Sequence, residues 1–158
     1  MPILLVRHAK AGHRSRWEGD DDERPLSRRG HQQARKLARL LAPYRPRRLV
    51  SSPYVRCVQT LAPLAAATGL VIEEHPDLGE GTGNASVSLV RALAGETAAL
   101  CTHGDIVPEV LKALVAEDEM CLGSEPHWAK GSTWVLETAA GRFVEARYLA
   151  APGDPQRP

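Results

Sequence analysis

Hydrophobic positions in this chain alternate between short unbroken runs and helical stripes from one end to the other. Ile3-Leu4-Leu5-Val6 is wholly apolar and ends in a β-branched residue, the pattern of a strand buried on both faces of a parallel sheet. A polar stretch runs from Gly12 to Pro25. Ser27 is then placed to cap a helix whose apolar residues Ala34, Leu37, Ala38 and Leu41 recur at helical spacing until Pro43 stops it. Arg48-Leu49-Val50-Ser51 predicts a second strand. Ser52-Pro53 opens a second helix, with proline at its first position and Val55, Val58 and Leu61 on one face. Pro63 should kink or end that helix, unless the alanine-rich run to Ala67 carries it on to Gly69. Leu70-Val71-Ile72-Glu73 reads as a third strand, residues 76–84 as a loop, and Ser86 to Ala94 as a short helix closed by Gly95. Ala98-Ala99-Leu100-Cys101-Thr102 is a fourth strand, leading through His103-Gly104-Asp105 into a helix from Ile106 to Ala116. Thr133 to Glu137 and Phe143 to Arg147 alternate in strand fashion around Ala140-Gly141, a hairpin signal. The alternation predicts one α/β domain over residues 1–151 with a largely parallel sheet, followed by a Pro-rich, frayed tail over 152–158.

Composition narrows the function classes. The chain has 158 residues, 43% hydrophobic and 25% charged, with a formal net charge of +1, all ordinary for a globular domain. No apolar run approaches the roughly 20 residues of a membrane-spanning helix. The N-terminal apolar run meets Arg7 and His8 too soon to form a signal-peptide core. Cys57, Cys101 and Cys121 are odd in number and far apart, which argues against a disulfide framework or a zinc cage and points to a reducing, cytoplasmic setting. The charge itself is asymmetric. Residues 1–60 hold 14 of the 20 basic side chains and 5 of the 19 acidic ones, so the N-terminal half suits an anionic ligand. Nucleic acid is a poor candidate, because only seven aromatics are present and no basic stripe interleaves with them. The Asp20-Asp21-Asp22-Glu23 run reads as a solvated stretch of the loop.

Ligands of an open α/β sheet bind beyond the carboxyl ends of its strands. Arg7-His8 follow the first predicted strand, Ser51-Ser52 and then Arg56 follow the second, and His103 follows the fourth. Two arginines and two histidines at one edge would build a cationic pocket with no metal, assisted by the positive ends of the two helices that start there. Taken singly, each is as well explained as an ordinary hydrogen-bonded residue. A charged cluster directly after a buried strand is harder to explain structurally. No H-E-x-x-H, P-loop or G-x-S-x-G pattern occurs, so zinc hydrolases, P-loop ATPases and serine hydrolases have no support.

Four segments carry a resemblance. Leu5-Val6-Arg7-His8-Ala9 resembles the R-H-G signature of the histidine phosphatase superfamily, the phosphoglycerate-mutase-like enzymes. Pro25-Leu26-Ser27 with Gly30, Gln33 and Ala34 resembles the family's PLTxxGxxQA helix start. Ser51 to Thr60 resembles SSPxxRxxQT, and Cys101-Thr102-His103-Gly104 resembles its second (S/T)HG. The short length is similar to bacterial phosphohistidine phosphatases. Arg7 to Gly12 with Trp17, Gly19-Asp20-Asp21 and Arg24-Pro25-Leu26 is similar to the phosphatase half of proteins whose other half is a Nudix hydrolase. No Nudix box is present, so a stand-alone relative is expected. Ala9 departs from the usual glycine, a difference shared with that branch, and could alter how closely the backbone approaches a phosphate.

The resemblance implies a three-layer α/β/α sandwich and a metal-independent phosphatase without cofactor. His8 would be the covalent nucleophile, its other ring nitrogen donating to a backbone carbonyl. Arg7, Arg56 and His103 would hold the phosphoryl oxygens, and the nearby cations would keep His8 neutral. Glu80 resembles the family's acid/base in the LxE loop, with a solvated loop carboxylate as the alternative, and Asp105 is a rival acid or simply a helix cap. Lys10 and Ser52 are candidate substrate contacts, Lys10 with a mobile loop rim as its alternative. Substrates in view are a nucleotide, a dinucleoside polyphosphate or a phosphoprotein. A phosphohistidine-protein phosphatase, a phosphomutase and a non-catalytic phospho-ligand-binding module remain alternatives.

Overall fold

The computed structural model describes residues 1–153. Seven strands form one sheet in the order β3-β2-β4-β1-β6-β7-β5. They are β1 (Ile3–Arg7), β2 (Arg48–Ser51), β3 (Ile72–Glu74), β4 (Ala98–Thr102), β5 (Cys121–Leu122), β6 (Thr133–Ala139) and β7 (Arg142–Leu149). The first four run parallel, while β6 is antiparallel to both β1 and β7. Four helices connect them: α1 (Arg28–Leu41), α2 (Val55–Thr68), α3 (Asn84–Ala92) and α4 (Ile106–Asp118).

The layering follows from the two-residue period of a strand. Leu4 and Val6 face one side and join Leu37 and Leu41 of α1 with Cys57, Leu61 and Leu64 of α2. Ile3 and Leu5 face the other and join Val87 and Val90 of α3, Val107, Leu111 and Leu114 of α4, and Trp134 and Leu136 of β6. Both faces of β1 are therefore dry, which is why its run is unbroken.

Ser27 caps α1 as expected: its hydroxyl accepts from Gly30 N at 3.1 Å and donates to Lys10 O at 3.1 Å. Those two bonds pin the start of α1 against the chain just after β1. The approach is so close that a Cβ on Gly30 would lie 1.8 Å from Lys10 O. The hairpin turn also forms as expected, with Ala140 at φ 51 and Gly141 at φ 79.

Three local expectations are corrected. Helix α2 begins at Val55, with Tyr54 as N-cap, because Ser52 N still bonds Cys101 O at 2.9 Å and keeps the chain extended through Pro53. Its buried stripe is Arg56, Cys57, Thr60, Leu61 and Leu64, whereas Val55 and Val58 are only half-buried. Apolarity misassigned that face because two of its polar residues point into the protein. Of the two outcomes left open at Pro63, the helix takes the second: it continues through the proline to Thr68, with Gly69 as its C-cap at φ 74. Strand β3 is shifted to Ile72–Glu74 and leaves Val71 81% exposed, since it pairs only at the sheet edge with β2. The short β5 was not expected; two residues are too few to show a period. Pro152 and Gly153 are described, and the remainder of the expected tail lies outside the described residues. Among the described residues no helix is long and apolar enough to cross a membrane.

Candidate active site

Register brings the strand ends together. Arg7 is opposite Thr102, and Ser51 is opposite Cys101, so His8, His103 and Ser52 leave the sheet side by side. The ladder extends one residue further through His8 N to Thr102 O at 3.0 Å. From the antiparallel side, Gly131 N donates to Arg7 O and His8 O at 3.1 and 3.0 Å. The His8 and His103 rings meet edge to face at 5.4 Å between centroids. His8 is 5% exposed, His103 1% and Arg56 not at all.

Hydrogen bonds assign the imidazole protons. His8 Nδ1 lies 2.8 Å from Ala9 O, and a carbonyl only accepts, so Nδ1 carries the proton and Nε2 the lone pair. Ala9 is itself held by Thr60, whose hydroxyl accepts from Ala9 N at 3.0 Å. His103 Nε2 lies 2.9 Å from the Ser52 hydroxyl, which also accepts from Tyr54 N at 3.3 Å. Ser52 is fully buried, and His103 Nε2 is the acceptor in reach of its hydroxyl proton, which places the His103 proton on Nδ1. Arg7 Nη1 donates to Trp128 O at 2.8 Å, and its guanidinium lies against Gly104 so closely that a Cβ there would sit 2.6 Å from Cζ. Arg56, from the first turn of α2, donates Nη1 to Asp21 O at 2.7 Å, and Nη2 to Asp21 Oδ2 at 3.0 Å and Glu80 Oε1 at 2.7 Å. Glu80 Oε1 lies 3.5 Å from His103 Nδ1. Arg7 Nε, Arg56 Nε and His103 Nδ1 are buried and have no hydrogen-bond partner within the described chain.

Burial, more than neighbouring charge, sets the state of the histidines. Desolvation is the largest cause lowering His8 from 6.5 to about 4; the bond to Ala9 opposes it, and Arg56, Arg7 and Lys130 add to it. His103 falls to about 3, again mainly by desolvation, then through His8 and Arg56. Both rings are thus neutral at neutral pH. After correction for the substrate's own ionisation, the acid limb of kcat/KM should fall with a midpoint near the lowered His8 value of about 4 rather than 6.5. Stability changes with the same sign. Each group binds fewer protons folded than unfolded below 6.5, so its contribution is present above that pH and is lost as pH falls through about 4 and about 3. Denaturant titrations at stepped pH check the slope, and an acid limb at 6.5 would contradict the assignment.

The group opens into a cleft of about 950 Å³ lined by Arg7, His8, Arg56, Glu80, Gly104 and Asp105 at its inner end. Lys10 lines the cleft as expected. Ser52 does not: it stands behind His103 and orients it. Asp105 occupies the N-cap of α4 without capping it. Its carboxylate accepts instead from Gly81 N at 2.8 Å and holds the loop that carries Glu80. The acidic run is not simply solvated, because Asp21 folds back onto Arg56, Arg24 and Arg14. Partial burial pushes the Asp21 carboxyl up, but hydrogen bonds from Arg24 and Arg56 outweigh it and hold it below the ordinary carboxylate range. Sequence reasoning missed Trp128 and Lys130, which also line the cleft. One signal could have found them: if β6 returns antiparallel beside β1, the residues preceding β6 must lie at the end of β1. Among the described residues no group of three or more His, Cys, Asp or Glu could hold a metal ion.

Comparison with known proteins bears on the family and the fold. Residues 3–85 match the model of the histidine phosphatase superfamily, branch 1. The chain is 35% identical to an 8-oxo-(d)GTP phosphatase of Mycolicibacterium smegmatis over 96% of its own length, and it spans about half (49%) of that curated relative. A SixA protein from Agrobacterium tumefaciens superposes with a TM-score of 0.69 at 27% identity, covering 86% of this chain and 90% of that one. The protein histidine phosphatase SixA bound to tungstate shares the fold, with a TM-score of 0.73 at 21% identity and 95% coverage of each chain. With residues 3–85, more than half of the chain, matched to that family model, this protein belongs to branch 1 of the histidine phosphatase superfamily.

Proposed function

We propose that this chain transfers a phosphoryl group from a small phosphorylated substrate to His8 Nε2 and then to water. The observation that carries the reading is the meeting of Arg7, Arg56 and His103 with a neutral His8 at one cleft, where Arg7 Nε, Arg56 Nε and His103 Nδ1 are buried donors without acceptors among the described residues. Buried donors without partners cost about 1–3 kcal/mol each, and phosphoryl oxygens would satisfy them. In the first step Nε2 bonds to phosphorus as the bond to the leaving oxygen breaks, and Glu80 supplies that oxygen's proton. In the second, water attacks the phosphohistidine and returns its proton to Glu80, releasing inorganic phosphate and His8 in its starting form. Ser52 and Ala9 act through the histidines, as positioning residues for their tautomers.

The similarity to an 8-oxo-(d)GTP phosphatase supports nucleotides as substrates, and the SixA likeness keeps a phosphohistidine protein in view. The cleft's size and cationic lining favour the small, multiply charged substrate. Rapid quenching of a reaction with a terminally labelled nucleotide tests the chemistry. The label should appear on His8 as an acid-labile, base-stable adduct, then be released as inorganic phosphate. Transfer of label to a second organic acceptor would mark a mutase, and stoichiometric binding with no adduct would mark a non-catalytic module.

A further inference from the structure

The cleft is far larger than one phosphoryl group needs, and its charge is not confined to the inner end. Eight lysines and arginines line it, against Glu80 and Asp105 as the carboxylates. Both acids are engaged at the inner end, Glu80 by Arg56 and Asp105 by Gly81 N. Further out, Arg28 and Arg29 stand exposed at the first two positions of α1, and Lys130 precedes β6. Among the described residues, none of these three side chains has an ion pair or a side-chain hydrogen bond.

The placement of the two arginines opposes the local electrostatics. A helix N-terminus carries partial positive charge and favours Asp or Glu in its first turn. Helix α1 has no acid there and two arginines instead, so helix and side chains repel. Ser27 and the missing Cβ of Gly30 lock this positive end against the chain beside His8, so the repulsion cannot relax by moving α1 away. Lys130 meets the same positive surroundings: partial burial first, then Arg7, Arg24, Lys10 and Arg14, disfavour its charged form. A local rule broken without compensation among the described residues points to a functional position.

We propose that Arg28, Arg29 and Lys130 form a second anion subsite in the cleft, which takes a second phosphoryl group of the substrate. This rests on the reading of the inner end as the site of phosphoryl transfer, and it specifies the substrate class: compounds with a terminal phosphoanhydride rather than simple phosphomonoesters. A phosphoryl dianion matches several cations lining one cleft better than a carboxylate does.

Equilibrium binding to the 158-residue chain carrying His8→Ala tests this without turnover, using inorganic phosphate, inorganic pyrophosphate and phosphoglycolate as probes. Pyrophosphate should bind about 10-fold or more tighter than phosphate at low salt, an advantage that shrinks as ionic strength rises. Adding Arg28→Gln with Arg29→Gln, or Lys130→Met, should reduce the advantage to within about 3-fold while phosphate binding changes much less. Equal affinity for phosphate and pyrophosphate, or an advantage that survives both variants, overturns the subsite. An equal gain from phosphoglycolate overturns its assignment to a phosphoryl group. The two readings fail separately. A chain that forms no phosphohistidine yet keeps a variant-sensitive pyrophosphate advantage retains the subsite and loses the mechanism; one that forms the adduct without the advantage does the reverse.

Discussion

Replacing His8 with alanine should abolish turnover, lowering kcat for p-nitrophenyl phosphate by about 10⁴-fold or more with a metal chelator present throughout. The size follows from the kind of group removed. Without an Nε2 lone pair no covalent intermediate forms, and the three buried donors are left to polarise a phosphoryl group that only water can attack. The fold should survive, because the substitution deletes one bond to Ala9 O just past the end of β1, about 1 kcal/mol, and leaves β1 and its ladder intact. Circular dichroism on the same sample separates loss of chemistry from loss of structure. Activity within 10-fold of the parent would end the proposed mechanism, and loss on chelation alone would point to a metal site.

Arg56→Ala carries the second largest expected effect, a fall of about 10³-fold in kcat/KM. Arg56 reaches the site fully buried, ties its two terminal nitrogens to Asp21 and Glu80, and leaves Nε for a phosphoryl oxygen. On the proposed mechanism its loss removes a transition-state contact, and it frees the two carboxylates that Nη2 binds. Stability should fall as well, by about 2–4 kcal/mol, because truncating a fully buried side chain leaves a cavity and takes a donor from Asp21 O, while the Asp21 and Glu80 carboxylates, 37% and 35% exposed, can take up water instead. The informative readout is the thermal shift with inorganic phosphate. The parent should be stabilised as ligand concentration exceeds Kd, and the variant should not. Arg56→Lys should recover only part of the activity, since an ammonium supplies charge without the fork that spans Asp21, Glu80 and the phosphoryl group. A variant that keeps both the shift and the rate would remove Arg56 from the site.

Much of the molecule was legible before any tertiary contact was known, and the reasons are local. The β1 run is apolar because both of its faces are covered, Ser27 caps because its hydroxyl replaces a missing helical acceptor, and Ala140-Gly141 turns because both residues adopt positive φ. The same locality explains the errors. The α2 stripe departs from its apolar pattern because Arg56 and Thr60 are buried polar residues, and a hydrophobic pattern records only apolar burial. Asp21 was assigned to solvent because a run of acids carries no sign of the arginine on a helix 35 residues away to which it returns.

What the sequence by itself determined is therefore the inventory: the order of strands and helices, and the identity of His8, Arg7, Arg56 and His103 at their ends. Spacing and periodicity act within a few residues, so one-dimensional order suffices to encode them. Only the tertiary structure decided how those residues meet, through the insertion of β4 between β1 and β2, the register that sets Arg7 beside Thr102, and the antiparallel return that delivers Trp128 and Lys130. The physical reason is that convergence depends on which strands pair and in what register. Pairing is settled by burial summed over the whole sheet, a quantity that no short stretch of the chain contains.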